Sequence, residues 1–160
     1  MKKLFPLLFC ISIFFSCAAQ ETGNLKCIKA KKEIGMLLDS WHMAAAKADF
    51  EKYFGKMTDD AVFIGTDASE NWTLEEFKAY SKPFFEKGQA WTMTASDRNI
   101  YISDSGKIAW FDELLNSSMG MIRGSGVAVM DNGEWKIQHY VLSYTIPNEL
   151  AKEVTELKRN

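Results

Sequence analysis

The sequence predicts an α+β domain in which helices come first and a long antiparallel sheet follows. Three observations carry that prediction. From Glu33 to Ala48, the residues Ile34, Leu37, Leu38, Trp41, Ala44, Ala45 and Ala48 recur at helical spacing. Thr73 stands three residues before Glu76, the pairing in which two side chains satisfy the first backbone N–H groups of a helix. After Gly88 the period changes: Trp91 to Ile102, Lys107 to Leu115, Met121 to Met130 and Glu134 to Thr145 are segments rich in β-branched and aromatic residues. Helices followed by a run of strands place the helices on one face of the sheet.

At the start of the chain, Lys2 and Lys3 precede an apolar run from Leu4 to Phe15, and small residues follow around Cys17, Ala18 and Ala19. This is the pattern of a secretory signal over residues 1–19. The run is shorter than the ~20 apolar residues that a spanning helix needs. The expected location is therefore the periplasm or cell envelope. Two processing routes fit the residues. Phe14-Phe15-Ser16-Cys17 has the form of a relaxed lipobox with Cys17 as the lipidated residue, and Cys17-Ala18-Ala19 has the form of a small-x-small cleavage site. The first is taken here because Ser16-Cys17 directly ends the apolar run. Contact with a membrane is then expected only through that lipid. Residues 20–32 read as a linker and 33–160 as one domain.

Of the three cysteines, Cys10 lies in the leader and Cys17 in the processing region, so Cys27 remains without an intramolecular partner. The chain carries 19 basic and 21 acidic residues, a formal charge of −2 that deepens to −4 once Lys2 and Lys3 are removed. That balance gives no support for a nucleic-acid partner. Lys26, Lys29, Lys31 and Lys32 form one basic cluster, which reads as a solvated tether.

Within the domain, Asp49 caps a second short helix carrying Phe50, Tyr53, Phe54 and Met57. Ala61 to Ile64 reads as a short strand, and an acidic turn leads from it into the helix that begins at Thr73. That helix runs to about Lys87, with Pro83 expected to bend it or end it early. The four strand segments are joined through Asp104-Ser105-Gly106, Ser117 to Gly120, and Asp131-Asn132-Gly133. The Asn-Gly pair is the strongest of these hairpin signals, because a type I′ turn needs positive φ at both central residues. Pro147 stops the last strand, and Asn148 to Lys158 forms a terminal helix. Both faces of the sheet are apolar: Val127 and Val129 alternate with Ala128 and Met130, and Val141 with Leu142. A sheet with one wet face alternates apolar with polar. A homodimer packed through the sheet is therefore expected.

The ordered set of Trp41, Ala45, Asp49-Phe50, Ala61-Val62-Phe63-Ile64-Gly65-Thr66-Asp67, Glu70, Trp72-Thr73, Ala109-Trp110-Phe111, Arg123, Ser125-Gly126, Trp135-Lys136-Ile137, His139 and Ser143 resembles the SnoaL-like branch of the nuclear transport factor 2-like superfamily. The resemblance runs from about Glu33 to Pro147. It implies a cone-shaped fold, with a curved antiparallel sheet wrapped around the N-terminal helices, a cavity at the open end, and dimers paired through the sheet. It does not supply a function, because the superfamily holds isomerases, cyclases, dehydratases, transport adaptors and oligomerisation domains.

Enzymes of that superfamily use a carboxylate or a His as general base inside an apolar cavity. Here Glu113 and His139 are the catalytic candidates. Asp112 and Glu113 are adjacent on a strand, so one points in; Glu113 is taken because Ala109, Phe111 and Leu115 share its face, with Asp112 as the alternative. His139 shares a face, by alternation, with Trp135, Ile137, Val141 and Ser143, while His42 reads as a packing or surface residue. Trp41, Phe63, Asp67, Glu70, Trp72, Arg123 and Ser143 are the candidate ligand contacts, with Arg123 as an anion clamp or a cross-strand ion pair. Gly124-Ser125-Gly126 inside a strand points to a bulge or bend. Neither cofactor nor metal is expected, since the histidines and acids lack metal-ligand spacing. Two functions follow: a non-catalytic module of the envelope with an apolar pocket, which binds a small molecule or mediates an interaction, taken as the main reading, or an enzyme of proton transfer, of isomerase, cyclase or dehydratase type, on an apolar carbonyl compound.

Overall fold

The computed structural model describes residues 7–159, with side chains from Gly23 onward. Lys2 and Lys3, the charged start of the expected signal, and the Cys10 and Cys17 side chains lie outside what is described. Helix α1 spans Leu7–Ala46 and α2 spans Phe50–Phe54; strand β1 (Met57–Ile64) and the short β2 (Asn71–Thr73) lead into α3 (Leu74–Glu86). Four long strands follow: β3 (Met93–Ile102), β4 (Ile108–Ser117), β5 (Gly120–Asp131) and β6 (Glu134–Tyr144). A 3-10 turn over Asn148–Leu150 and helix α4 (Ala151–Leu157) end the chain. The six strands form one sheet in the order β2-β1-β6-β5-β4-β3. Every neighbouring pair is antiparallel except β1 and β6, which run parallel. This is the α+β class that the sequence predicts, with the meander extended by a parallel β1 strand and an added β2 hairpin edge.

Several elements run longer than their periodicity predicts. Residues 20–32, read as a linker, belong to α1, and Lys26 to Lys32 lie on that helix. Pro83 neither ends nor shortens α3, which continues to Glu86. The capping box is formed as expected: Thr73 accepts the Glu76 N–H, and the Glu76 carboxylate accepts the Thr73 N–H at 2.9 Å. The turn between β5 and β6 has φ of 49° at Asn132 and 90° at Gly133, the positive pair a type I′ turn requires.

The inner face of the sheet closes on α1. Ile34, Leu38, Trp41 and Ala45 form the helix stripe and are essentially solvent-free. They meet Ala109, Phe111 and Leu115 of β4, Ile122 and Ala128 of β5, and Ile137 and Tyr140 of β6. Each of the Leu, Ile and Phe side chains among them contributes ~1.5–3 kcal/mol on burial.

Two bulges decide which polar residues join this interior. Ala95 pairs with Leu115 and Asp97 with Leu114, so Ser96 is an extra residue in β3. Ala128 pairs with Ile137 and Val127 with His139, so Gln138 is an extra residue in β6. Each extra residue inverts the alternation beyond it. Arg98 and Tyr140 turn inward as a result, and His139 turns outward. The glycines Gly124 and Gly126 mark neither bulge. A Cβ on Gly124 would strike the Tyr140 ring, with Cζ at 2.7 Å, and one on Gly126 would lie 2.8 Å from Phe111 Cζ. Gly124 leaves room for the Tyr140 ring, and Gly126 leaves room for the His139 backbone carbonyl of β6 as well as for the Phe111 ring.

Gly124→Ala therefore forces Tyr140 out of place. Denaturant unfolding should show a loss of roughly 2 kcal/mol or more, from overpacking and a lost hydrogen bond to a charged group. Tyr140→Phe relieves part of the clash, so the double variant should lose less than the two single losses combined. Strict additivity would refute the assigned contact.

Candidate functional site

Glu113 sits at the centre of β4 with no solvent exposure. Oε1 accepts from His42 Nε2 at 2.8 Å and from the Tyr140 hydroxyl at 2.8 Å. Arg98 approaches side-on: its Nε donates to Oε2 at 2.8 Å, and Nη2 lies 2.7 Å from the same oxygen as an ionic contact. Arg98 Nη1 in turn donates to the Asp39 carboxylate at 2.8 Å and to the Gly35 carbonyl at 3.1 Å on α1. A carboxylate offers only acceptors, so His42 must be the donor through Nε2–H.

Burial is the largest influence on the Glu113 carboxyl and pushes its pKa up. The His42 hydrogen bond and the charges of His42 and Arg98 outweigh it, and the pKa settles below the ordinary 4.5. Burial first, and then the neighbouring Glu113 charge, push the Tyr140 phenol well above its usual 10.0, so it stays a donor. The group is an ionised carboxylate held by three donor side chains, with no space beside it for a substrate. Trp41 fills what would be the cavity, stacked on Tyr53 at 4.8 Å and edge-on to Tyr140 at 4.6 Å.

An aromatic-lined cleft lies at the mouth of the cone, between α3, β1, β2 and the ends of the long strands. This cleft has a volume of about 210 Å³. Phe63, Trp72, Phe77, Tyr80, Phe84 and Trp91 supply its walls, and Glu70 is its single charged lining residue. The rings are ordered against one another: Phe63 stacks on Phe77 at 3.9 Å and Trp72 on Tyr80 at 4.5 Å. Trp72 is nearly parallel to Phe77, at 9°.

The residues singled out by sequence divide accordingly. Phe63, Glu70 and Trp72 line the cleft. Trp41 does not; it is core. Asp67 is exposed, turned to the Ser69 amide at 2.9 Å, and borders an adjoining groove. Glu113, rather than Asp112, faces inward. His139 does not share a face with Trp135 and Ile137, because the Gln138 bulge intervenes; it lies on the outer face between Val127 and Val62. Arg123 and Ser143 are cross-strand neighbours on that same outer face and are exposed, so they do not reach the cleft. Among the described residues, no cluster of His, Cys, Asp and Glu is arranged to hold a metal ion.

Sequence reasoning missed Arg98, Tyr140 and His42. The first two could not be found by alternation, because each lies just beyond a bulge. His42 could have been found, since Ile34, Leu38 and His42 recur every four residues along the buried stripe of α1.

A SnoaL-like domain model matches residues 34–147, so the chain belongs to the SnoaL-like domain family. No curated protein matches it by sequence. Among solved structures, it is similar to an NTF2-like protein of unknown function from Pseudomonas putida, with a TM-score of 0.65 at 15% identity over 76% of this chain and 91% of that one. A putative aromatic ring hydroxylase from Novosphingobium aromaticivorans gives 0.65 at 14% identity, over 75% and 92%. A putative dehydratase of the NTF2-like family from Streptomyces avermitilis gives 0.62 at 12%, over 72% and 96%. At these identities the likeness shows the fold.

The lowered Glu113 pKa has a pH signature. The folded value lies below the unfolded one, so Glu113 contributes stability above the ordinary 4.5 and loses that contribution as pH falls through its folded value. Glu113→Gln should cost about 3 kcal/mol at neutral pH, the low end for breaking a buried pair because Asp39 still faces Arg98. Its stability should then fall less steeply than wild type below pH 4.5. Parallel slopes in denaturant titrations across that range would refute the ionised assignment.

Proposed function

We propose that this protein is a non-catalytic binding module of the cell envelope that takes a small, largely apolar molecule into the aromatic cleft at the mouth of its cone. The observation that carries this reading is the contrast between a fully engaged interior carboxylate and an open aromatic cleft. Glu113, the one buried acid among the described residues, spends its acceptor capacity on His42, Tyr140 and Arg98 and has no exposed surface. A general base must reach the proton it abstracts through an open lone pair. The cleft, by contrast, is open and walled by aromatic rings. Its volume is below the roughly 300–1,000 Å³ of sites for drug-sized ligands, so the ligand is small or enters only in part.

Export rests on Lys2, Lys3 and the apolar run to Phe15, and the lipid would be carried by Cys17. Pairing of two copies through the outer face of the sheet is the assembly we favour. Tyr101 and Trp110 stack there at 5.8 Å, with Trp110 half exposed. Val127 continues the row from Trp110. Asp112 and Arg123 stand near this row on the same face, and Arg123 has no ion pair among the described residues. A two-fold interface sets each patch against its own copy, so opposite charges on one face can pair across it.

Native mass spectrometry of the protein purified from its own host tests the reading. A small molecule should co-purify with the wild type and be lost from Tyr80→Ala, and the N-terminal fragment should carry lipid mass on Cys17. A ligand retained by Tyr80→Ala would exclude the cleft. Trp110→Glu should convert a dimer to monomer in sedimentation at micromolar concentration, with the fold retained by circular dichroism; an unchanged sedimentation coefficient would exclude the sheet face as the interface.

A further inference from the structure

The mouth cleft contains an unbalanced charge. Glu70 is placed in its lining from the segment before β2, and no Lys or Arg among the described residues lines it. Lys158 lines the adjoining groove, together with Asp67. The backbone is shaped to receive the carboxylate. Gly65 donates its N–H to the Glu70 carbonyl at 2.8 Å, and a Cβ on Gly65 would collide with the Glu70 carboxylate, with Cδ at 2.9 Å. Any other residue at position 65 would displace the acid from the wall of the cleft. Once in place, the carboxylate accepts a single hydrogen bond among the described residues, from the Asp67 N–H at 3.2 Å. A carboxylate can accept about four, so most of its capacity is unspent on the described residues.

Around it stand ring faces. An aromatic face carries negative quadrupole potential and attracts a cation within about 6 Å of its centroid, most strongly for Trp. The stacked pair Trp72 and Tyr80 stands at the entrance, where Tyr80 is half exposed, while the stacked Phe63 and Phe77 lie in the buried part of the cleft. Met93 and Met119 complete the wall with soft, polarisable thioethers. None of the lining residues carries a positive charge. A carboxylate or phosphate ligand would meet the Glu70 charge with no compensating cation, only the neutral donors of Thr66, Tyr80 and the indoles. A neutral apolar ligand would leave Glu70 desolvated and unpaired, a cost of several kcal/mol for a buried charge.

We propose that the cleft binds an organic cation, an amine or a quaternary ammonium group, with its alkyl substituents against Trp72, Phe77 and Tyr80 and its charge opposite Glu70. This inference rests on the cleft being the binding site and adds the chemical class of what it holds. The small volume suits a compact ammonium head group, with any longer substituent leaving through the open mouth.

The test uses three probes of one shape and different charge: choline, its neutral carbon isostere 3,3-dimethylbutan-1-ol, and the anion 3,3-dimethylbutanoate. Each is titrated into the full-length protein by calorimetry, with Trp fluorescence in parallel. Choline should bind at least tenfold more tightly than the alcohol, a difference of about 1.4 kcal/mol, and the anion should not bind. Glu70→Gln keeps an acceptor for the Asp67 N–H and should bring choline and the alcohol to within about threefold of one another. Tyr80→Ala, at a half-exposed position, should weaken both choline and the alcohol without unfolding the domain. If the alcohol binds as tightly as choline, or if Glu70→Gln leaves the preference intact, the inference is overturned while the cleft remains the binding site. If neither probe binds, the inference is overturned as well, and the co-purification result alone decides whether the cleft is a site.

Discussion

The interior of this domain is organised around one buried charge. Glu113 is held from three directions: by His42 from α1, by Arg98 from β3 and by Tyr140 from β6. Arg98 extends the link back to α1 through Asp39 and the Gly35 carbonyl. The helix, the sheet's far edge and its centre are thus tied to a single pair of oxygens. Such a cluster is weak evidence for net stability, since desolvating the ions costs several kcal/mol each. Its physical consequence is specificity. An apolar stripe on α1 could slide or rotate by a residue against an apolar sheet at modest cost, but a carboxylate with three partners at 2.8 Å cannot be matched in another register. Satisfying the charge also requires each element in one place, so a partly formed version is worse than none.

That requirement explains the two bulges and one glycine. Without the extra residue at Ser96, the β3 alternation would aim Asp97 inward, next to Glu113, and leave Arg98 in solvent. Without Gln138, His139 rather than Tyr140 would point into the core. Gln138 is itself tied down, donating to Asp60 at 2.9 Å. The small residue at Gly124 then leaves room for the Tyr140 ring to reach across β5 to Glu113. The irregularities of the sheet are the means by which the cluster is assembled.

The same facts set the limit of what the sequence reveals. Element order, the capping box, the Asn132-Gly133 turn and the buried stripe of α1 are local, and each follows from short-range spacing. Glu113 was legible for the same reason, because Ala109, Phe111 and Leu115 mark its face without an intervening bulge. Bulges carry no such mark here. Ser96 and Gln138 are ordinary polar residues in polar-apolar strands, and one inserted residue inverts every assignment downstream. His139 was misplaced for that reason alone. Trp41 was misplaced for another: an aromatic residue on a helix stripe has the same spacing whether it packs in a filled core or lines an open cavity.

Two acids in one domain have thus been put to opposite uses by their surroundings. Deep in the cone the low dielectric makes an unpaired carboxylate costly, and the fold supplies three donors until nothing is left to react. At the mouth, Glu70 is only partly buried and can keep contact with water, so the fold tolerates it with one hydrogen bond. A ligand that excludes that water changes the balance. It must replace the lost solvation of Glu70 with its own charge or bind weakly, which makes the acid a filter on charge as well as a contact. The aromatic walls reinforce that filter because their faces and the carboxylate carry potential of the same sign. The interior carboxylate selects one arrangement of the chain, and the exposed one selects among the molecules that reach it.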